Sequence, residues 1–499
     1  MNTSQHMDFE SEDEYRPGGF HPVNLGDFID EQFRFKVVHK LGWGSFSTVW
    51  LCRDTLEKKW RAVKVISAIH SDDKCPDLVA ISLFAGSTSR ELEANHIALP
   101  LTSFRIDGPN GSHLCIVLPL FGPSTSICGD VYGCNPSLAK HVGFQMTEAM
   151  AYMHSKGICH GDFRCENILF KLTGIDNLSE EEMLEILGQP QLMELPQTDD
   201  SPSTDSSLPK HLVLPAAFSH DSGYVSRDIA VIDFGICYKA GDFHGFGAIP
   251  YEGAAPELLL DECGVDLGFG TDVWALGCAI YRLRARSAPF PFCDDTSIIE
   301  NIEEAIGPMP DPFRSAYIAQ GFGVYNDQLG EGEPLTVSIS TEDYQENREF
   351  RLKICGSPEF LRYKLSRASC WFPDSPEACQ DKKTGDPKLL PPGPPWKPDE
   401  QKLWEYHIPQ DENIVLCDLL MQIFKYYPDK RAKPHALLDH KWFDEHGRSS
   451  LRQPCKKPVS LFSQCWETAA WIYSQFPSCM ATMISLVKVF GQLAYGRAT

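Results

Sequence analysis

The sequence predicts an α+β chain of two lobes, a small β-rich lobe followed by a larger helical one. Short β-type apolar runs crowd the first part, helical periodicity takes over later, and no internal repeat breaks that order. The β-type runs are Phe35–Val38, Val49–Cys52, Trp60–Ile66 and His113–Leu120, and a glycine-rich turn joins the first two. From Leu138 to Lys156 the apolar positions Val142, Met146, Ala149, Met150 and Met153 recur at helical spacing, and Gly157 can end that helix. Asp272–Arg284 and Ile414–Tyr426 are further helix candidates.

The chain has 499 residues, enough for several sizeable cores without a metal or disulfide staple. With 42% hydrophobic and 23% charged residues, the composition excludes global disorder, collagen and coiled coil. A net charge of −23 argues against direct nucleic-acid binding; it suits a basic partner, and serves solubility equally well. The 18 cysteines include no CxxC pair, which removes a zinc ribbon or a thioredoxin-like motif. The first residues are acidic and polar where a secretory signal would be basic and then apolar. Free thiols in an intracellular, cytoplasmic or nuclear setting are the expectation.

Four regions are expected. Residues 1–34 form an acidic, extended lead-in, 35–122 the small lobe and hinge, 123–446 the large lobe, and 447–499 a tail. The large lobe carries two insertions, at about 171–227 and 328–400. The centre of the first, QTDDSPSTDSSLP, is too polar to order itself, and the second ends in the stiff LLPPGPPWKP. In the tail, 468–487 is uncharged and close to spanning length, but Ser474, Gln475, Pro477, Ser478, Thr482 and Ser485 interrupt it. Packing against protein is expected there; membrane contact stays open.

Several motifs carry chemistry. Leu41-Gly42-Trp43-Gly44-Ser45-Phe46-Ser47-Thr48-Val49 is a turn whose glycines let backbone N–H groups approach phosphates. Ala62-Val63-Lys64 sets a lysine in an apolar strand, where a buried cation needs an anionic partner. His160-Gly161-Asp162-Phe163-Arg164-Cys165-Glu166-Asn167 offers an aspartate to accept a hydroxyl proton and an asparagine for a metal. Val231-Ile232-Asp233-Phe234-Gly235 adds a second metal-binding carboxylate. Ala255-Pro256-Glu257 and Asp272-Val273-Trp274-Ala275-Leu276-Gly277 follow, and six such elements in one order are not turn chemistry alone.

At these residues the chain resembles the eukaryotic protein kinases over about 35–446. The LGWGSFSTVWL and GPNGSHLCIVLPLFG strings and the long insertion before Asp233 resemble, more narrowly, the SR-protein kinase family, particularly divergent fungal-type members. The resemblance implies a bilobal protein-kinase-like fold, ATP and Mg²⁺ as cofactors, and transfer of the γ-phosphate to Ser/Thr hydroxyls of protein substrates, possibly basic, Arg/Ser-rich ones. It implies a nucleotide site of Leu41, Gly42, Gly44, Ser47, Val49, Ala62, Lys64, Leu118, Pro119 and Phe121. Within it Lys64 would hold the α/β-phosphates, Leu118 would be the gatekeeper, and the N–H of Phe121 would read the adenine, so that Pro119 is tolerable. Asn167 and Asp233 would hold Mg²⁺, and Asp162 and Arg164 would be catalytic. By the same analogy Arg431 would pair with Glu257, and Asp272 would brace the catalytic loop from below.

Four departures stand out. The glutamate expected to pair with Lys64 aligns with Ala80; Asp77, Glu91 or Glu93 substitutes, or the pair is missing. Gly161 replaces the arginine of HRD, and Arg164 the catalytic-loop lysine. Pro250 stands about where Ser/Thr kinases place a threonine. A pseudokinase that binds nucleotide or a partner is the second reading, and a small-molecule kinase the third.

Overall fold

A computed structural model describes residues 9–30, 32–72, 75–127, 136–195, 207–216, 218, 223–242, 253–260, 263–291, 298–320, 358–367, 369–372 and 404–443. The chain divides into Met1–Glu445 and His446–Thr499, and the second unit, with the tail 447–499, lies outside the described residues.

The small lobe is a five-stranded antiparallel sheet in the order β1-β2-β3-β5-β4. Its strands are β1 (Phe35–Gly44), β2 (Ser47–Asp54), β3 (Lys59–Ile66), β4 (Thr102–Gly108) and β5 (Gly111–Pro119). Gly44 pairs with Ser47, so only Ser45 and Phe46 form the β1–β2 turn, and the register slips between Lys40 and Gly42. Between β3 and β4 lie α1 (Pro76–Leu83) and α2 (Ser89–Ala94). Pro76 suits the first turn of α1 because its missing N–H has no helical partner there anyway. A reciprocal Thr88–Glu91 capping box starts α2.

After β6 (Phe121–Ser124), the large lobe is built on α3 (Pro136–Ser155). The periodic side chains of α3 all face the main core, and Gly157, in the left-handed region at φ 77°, reverses the chain after it. Next come β7 (Ile158–Cys159) and β8 (Ile168–Leu172), which sits between β6 and β11 (Val225–Val231) in a three-stranded sheet; β12 (Tyr238–Lys239) pairs with β7. The short α5 (Pro256–Leu259) precedes α6 (Phe269–Ala285), whose Trp274 is fully buried beside Phe290 and Phe424. α7 (Ile298–Ile306), α8 (Phe313–Ala319), α9 (Pro358–Arg367) and α10 (Gln410–Ile423) complete the helical core. α9 falls within the expected second insertion, yet Phe360, Leu361 and Leu365 are core residues. β13 (Ser369–Phe372) and β14 (Trp404–His407) form a hairpin, and the proline-rich run between them lies outside the described residues.

The first insertion is partly folded onto the small lobe. It contains α4 (Glu180–Leu187) and the hairpin of β9 (Leu192–Glu194) with β10 (His211–Val213). Lys36 pairs with Glu180 at 2.8 Å, the Trp60 amide donates to Asp176, and Met183 and Ile175 are buried with Leu51 and Trp60. Its polar centre, 196–206, lies outside the described residues.

Much of the lead-in is packed too, although its sequence shows only an acidic stretch. Tyr15, Phe20, Val23 and Ile29 are buried, spaced too irregularly to show a period, and Tyr15 and Phe20 cluster with Leu212 of β10. Glu10 and Lys40 form a buried ion pair, and the Tyr15 hydroxyl donates to Glu10 at 2.6 Å. The remaining carboxylate oxygen of Glu10 finds no partner among the described residues, so the pair's attraction is offset by its dehydration.

Candidate functional site

The turn between β1 and β2 hangs over the edge of the small sheet. A methyl group added at Gly42 or Gly44 would meet no atom within 4 Å, so the backbone there is open to a ligand. Leu41 and Val49 pack with Ala62, Leu118 and Leu120 in one apolar cluster, a surface suited to a flat ring. Ser47 is buried on the same face of β2 as Val49. Pro119 ends β5 opposite Arg61, and Phe121 begins β6 opposite Lys171, so both stand at the junction of the lobes.

Lys64 shares a face of β3 with Ala62, and its ammonium is the point where three elements meet. Nζ lies 3.0 and 3.2 Å from the carboxylate oxygens of Asp77, in the first turn of α1, and 3.9 Å from Asp233 Oδ1. Burial alone would lower the lysine pKa; the charges of Asp77 and Asp233 overcome it and raise the pKa above its ordinary value. Of the alternatives open from sequence, Asp77 is the partner. Ala80, one turn on, is buried in the core, and Glu91 and Glu93 sit on α2. Phe84 at the end of α1 meets Phe234 edge to face at 5.4 Å, a second tie between that helix and the Asp233 segment.

The His160–Asn167 loop is held from below. Asp272 of α6 accepts the His160 amide at 2.7 Å and the Gly161 amide at 3.0 Å, and His154 lies 3.2 Å away. From above, the His160 ring accepts the Asp162 amide on Nδ1, so its Nε2–H donates to the Ile232 carbonyl at 3.1 Å. This imidazole links the loop directly to the residue before Asp233. Asp233 itself adopts φ 59°, an uncommon conformation for a side chain other than glycine, and half-exposes its carboxylate. Gly161 at φ 84° would bring a Cβ within 2.8 Å of the Ile236 carbonyl, so backbone geometry favours a glycine there.

Asn167 donates its amide to the carbonyl and the Oδ2 of Asp162, at 2.9 and 2.8 Å. That leaves the amide oxygen as the end able to face a cation. Among the described residues no cluster of three His, Cys, Asp or Glu side chains could hold a metal alone. A magnesium ion does not require one, since it binds through one or two protein oxygens completed by phosphate and water. The open glycine backbone, the cation at Lys64 and the oxygens of Asn167 and Asp233 fit a magnesium–nucleotide donor set. Arg164 does not turn to Asp162: its Nε lies 3.4 Å from Glu166, whose other oxygen is 3.1 Å from Arg282 of α6. The Glu166–Arg282 pair was not singled out from the sequence, where the two residues stand over a hundred positions apart.

Below the site, Arg431 makes a doubly hydrogen-bonded pair with Glu257 at 2.6 and 2.7 Å, with both side chains fully buried. Thr271 adds a third bond to Glu257, and Arg431 also reaches the carbonyls of Gly270, Tyr426 and Lys425. Pro250 and the segment 243–252 lie outside the described residues. No helix among the described residues is long and apolar enough to cross a membrane.

Comparison with known proteins agrees with this geometry. Residues 35–178 match the family described as "Protein kinase domain". The protein kinase dsk1 of Schizosaccharomyces pombe is 32% identical over 207 residues, 40% of this chain and 36% of that protein. Human SRSF protein kinase 3 is 37% identical over 170 residues, 32% of this chain and 30% of that protein. Serine/threonine-protein kinase spk-1 of Caenorhabditis briggsae is 34% identical over 214 residues, 41% of this chain but 18% of that protein. The chain thus spans between 18% and 36% of these relatives' lengths. A crystal structure of a kinase domain superposes with a TM-score of 0.51 at 20% identity, covering 85% of this chain and 98% of its own, which establishes the fold. On these matches and this geometry, the chain carries a protein kinase domain with distant homology to the SR-protein kinases.

Proposed function

We propose that this chain is an active, Mg-ATP-dependent Ser/Thr protein kinase. The observation that carries the reading is Lys64, held 3.0 Å from Asp77 and 3.9 Å from Asp233. The pseudokinase reading draws on Ala80 and Arg164; Asp77 beside Lys64 answers the first, and Arg164, turned to Glu166, stays as the ground of that reading. Phosphoryl transfer asks the protein mainly to position groups and neutralise charge. Bound Mg-ATP would supply the phosphoryl group and the charge-neutralising metal. Leu41, Val49, Ala62 and Leu118 would enclose its base, Lys64 and the amides of the Gly42–Gly44 turn its phosphates, and Asn167 and Asp233 its metal. Asp162, kept in place by Asn167, would orient the substrate hydroxyl and take its proton.

The choice of serine or threonine on a protein substrate rests on the relatives' names. A basic, Arg/Ser-rich substrate rests on those names and on the net charge of −23, which steers cationic chains toward the protein. Transfer of radiolabelled phosphate from ATP to basic and acidic protein substrates tests the reading. Wild-type transfer that Asp162→Asn abolishes supports it; no transfer to any substrate, with the protein folded, refutes it.

A further inference from the structure

The catalytic loop and α6 enclose a pocket directly beside Asp162, and its wall carries an unusual balance of charge. Arg164 and Arg282 project into it, each with side chains more than a third exposed. Among the described residues, the accessible carboxylate inside is Glu166, and it is already divided, one oxygen toward each arginine. Arg164 Nε is buried and makes no hydrogen bond among the described residues, because its contact with Glu166 is long and misdirected. Asp272 also borders the pocket, but it is buried and occupied by the His160 and Gly161 amides. Asp162 stands at the mouth, turned to Asn167. The remaining wall is small and apolar, from Ala275, Ala279 and Pro289 among others. Among the described lining residues, two guanidinium groups share the single carboxylate of Glu166 in the interior, while Asp162 at the mouth and the buried Asp272 are engaged with Asn167 and with the loop amides.

We infer that this pocket selects an anionic side chain, a carboxylate or a phosphate, on the residue of the substrate that lies beside the reacting hydroxyl. The inference rests on the kinase reading and refines it. An arginine entering here would meet two guanidinium groups and could pair with Glu166 only by displacing them. An oxyanion instead completes the donors of Arg164 and Arg282, and planar guanidinium groups suit either anion. A basic substrate can still be drawn by the whole surface while this one contact selects an acid, but strict Arg/Ser alternation, which sets arginine beside the serine, is then disfavoured.

Fluorescence anisotropy with labelled peptides tests this without requiring turnover. The peptides share one serine and carry aspartate, phosphoserine, alanine or arginine at each flanking position in turn. At one flanking position the aspartate or phosphoserine peptide should bind about tenfold more tightly than the arginine peptide, and the difference should shrink with salt. Comparing the two anionic peptides separates carboxylate from phosphate selection. Arg282→Glu should reverse the order, and Arg282→Gln should flatten it while controlling for any loss of folding. Equal or tighter binding of arginine peptides by the wild type overturns the inference, as does an order unchanged in Arg282→Glu. Phosphate transfer to the same peptides reports separately on the kinase reading. Transfer with an arginine preference defeats the pocket alone; no transfer with the anionic preference intact defeats the kinase reading alone.

Discussion

Replacing Asp77 by alanine removes the primary anchor of Lys64 and leaves the protein's other machinery in place. At an effective dielectric constant near 20, unit charges separated by the 3.0 Å seen for Asp77 attract by about 5.5 kcal/mol, and at the 3.9 Å of Asp233 by about 4 kcal/mol. Dehydration of both groups cancels much of this, and residual side-chain exposures of 19% and 11% let water screen the pair. With Asp77 gone, the ammonium shifts toward Asp233. We expect a stability loss of about 1–2 kcal/mol, read by chemical denaturation. The larger effect is on rate: kcat should fall about 10- to 100-fold through lost positioning, while Mg-ATP still raises Tm. The raised Lys64 pKa makes its contribution fully present below the unfolded lysine value and lost only as pH rises past the still higher folded one. The deficit should therefore be constant across the neutral range. A wild-type kcat in Asp77→Ala, or restoration of the rate by raising pH, refutes the assignment of Asp77 as the lysine's partner.

Arg431→Ala strands the Glu257 carboxylate in the core, and denaturation should show a loss of about 3–5 kcal/mol. Gly161→Ala places a Cβ 2.8 Å from the Ile236 carbonyl at φ 84°, so Tm should fall, with a cost of about 1–3 kcal/mol. His21, beside His113, is pushed by burial from 6.5 down to about 4, so the unfolded chain binds more protons between those values. Stability should accordingly drop by about 2–3 kcal/mol as pH falls through that window, and His21→Gln should flatten the slope in acid titrations followed by circular dichroism.

The placing of the His160–Asn167 loop beside the Asp233 segment was legible because each is one contiguous string with a characteristic spacing. The bracing of Asp272 and the Arg431–Glu257 pair came from family analogy, and the geometry agrees with both. The partner of Lys64 was harder. Helix α1 begins at Pro76, and the acid sits in its first turn rather than one turn later. The Cys-Pro-Asp start was a usable signal, since proline and an acidic residue both favour a helix N-terminus. The Glu166–Arg282 pair left no local trace, because only folding brings the loop and α6 together. The packing of the lead-in left no local signal for a similar reason. Its anchors Tyr15, Phe20 and Val23 follow no period, and their partners, such as Leu212, lie far along the chain.

The folded part of the first insertion also bears on the order in which the chain can assemble. Strand β11 leads straight to Asp233, yet it pairs with β8 across roughly fifty intervening residues. Closing so long a loop in one step costs chain entropy before any contact repays it. Docking of Asp176 on Trp60 and of Glu180 on Lys36 divides the excursion, and the β9–β10 hairpin closes most of what remains. The first two contacts are made to the small sheet, and β10 packs against the lead-in through Leu212. The strand that leads to Asp233 is thus tied, through the insertion, to the small sheet and the lead-in, so that a substitution in any of these can be felt at its register.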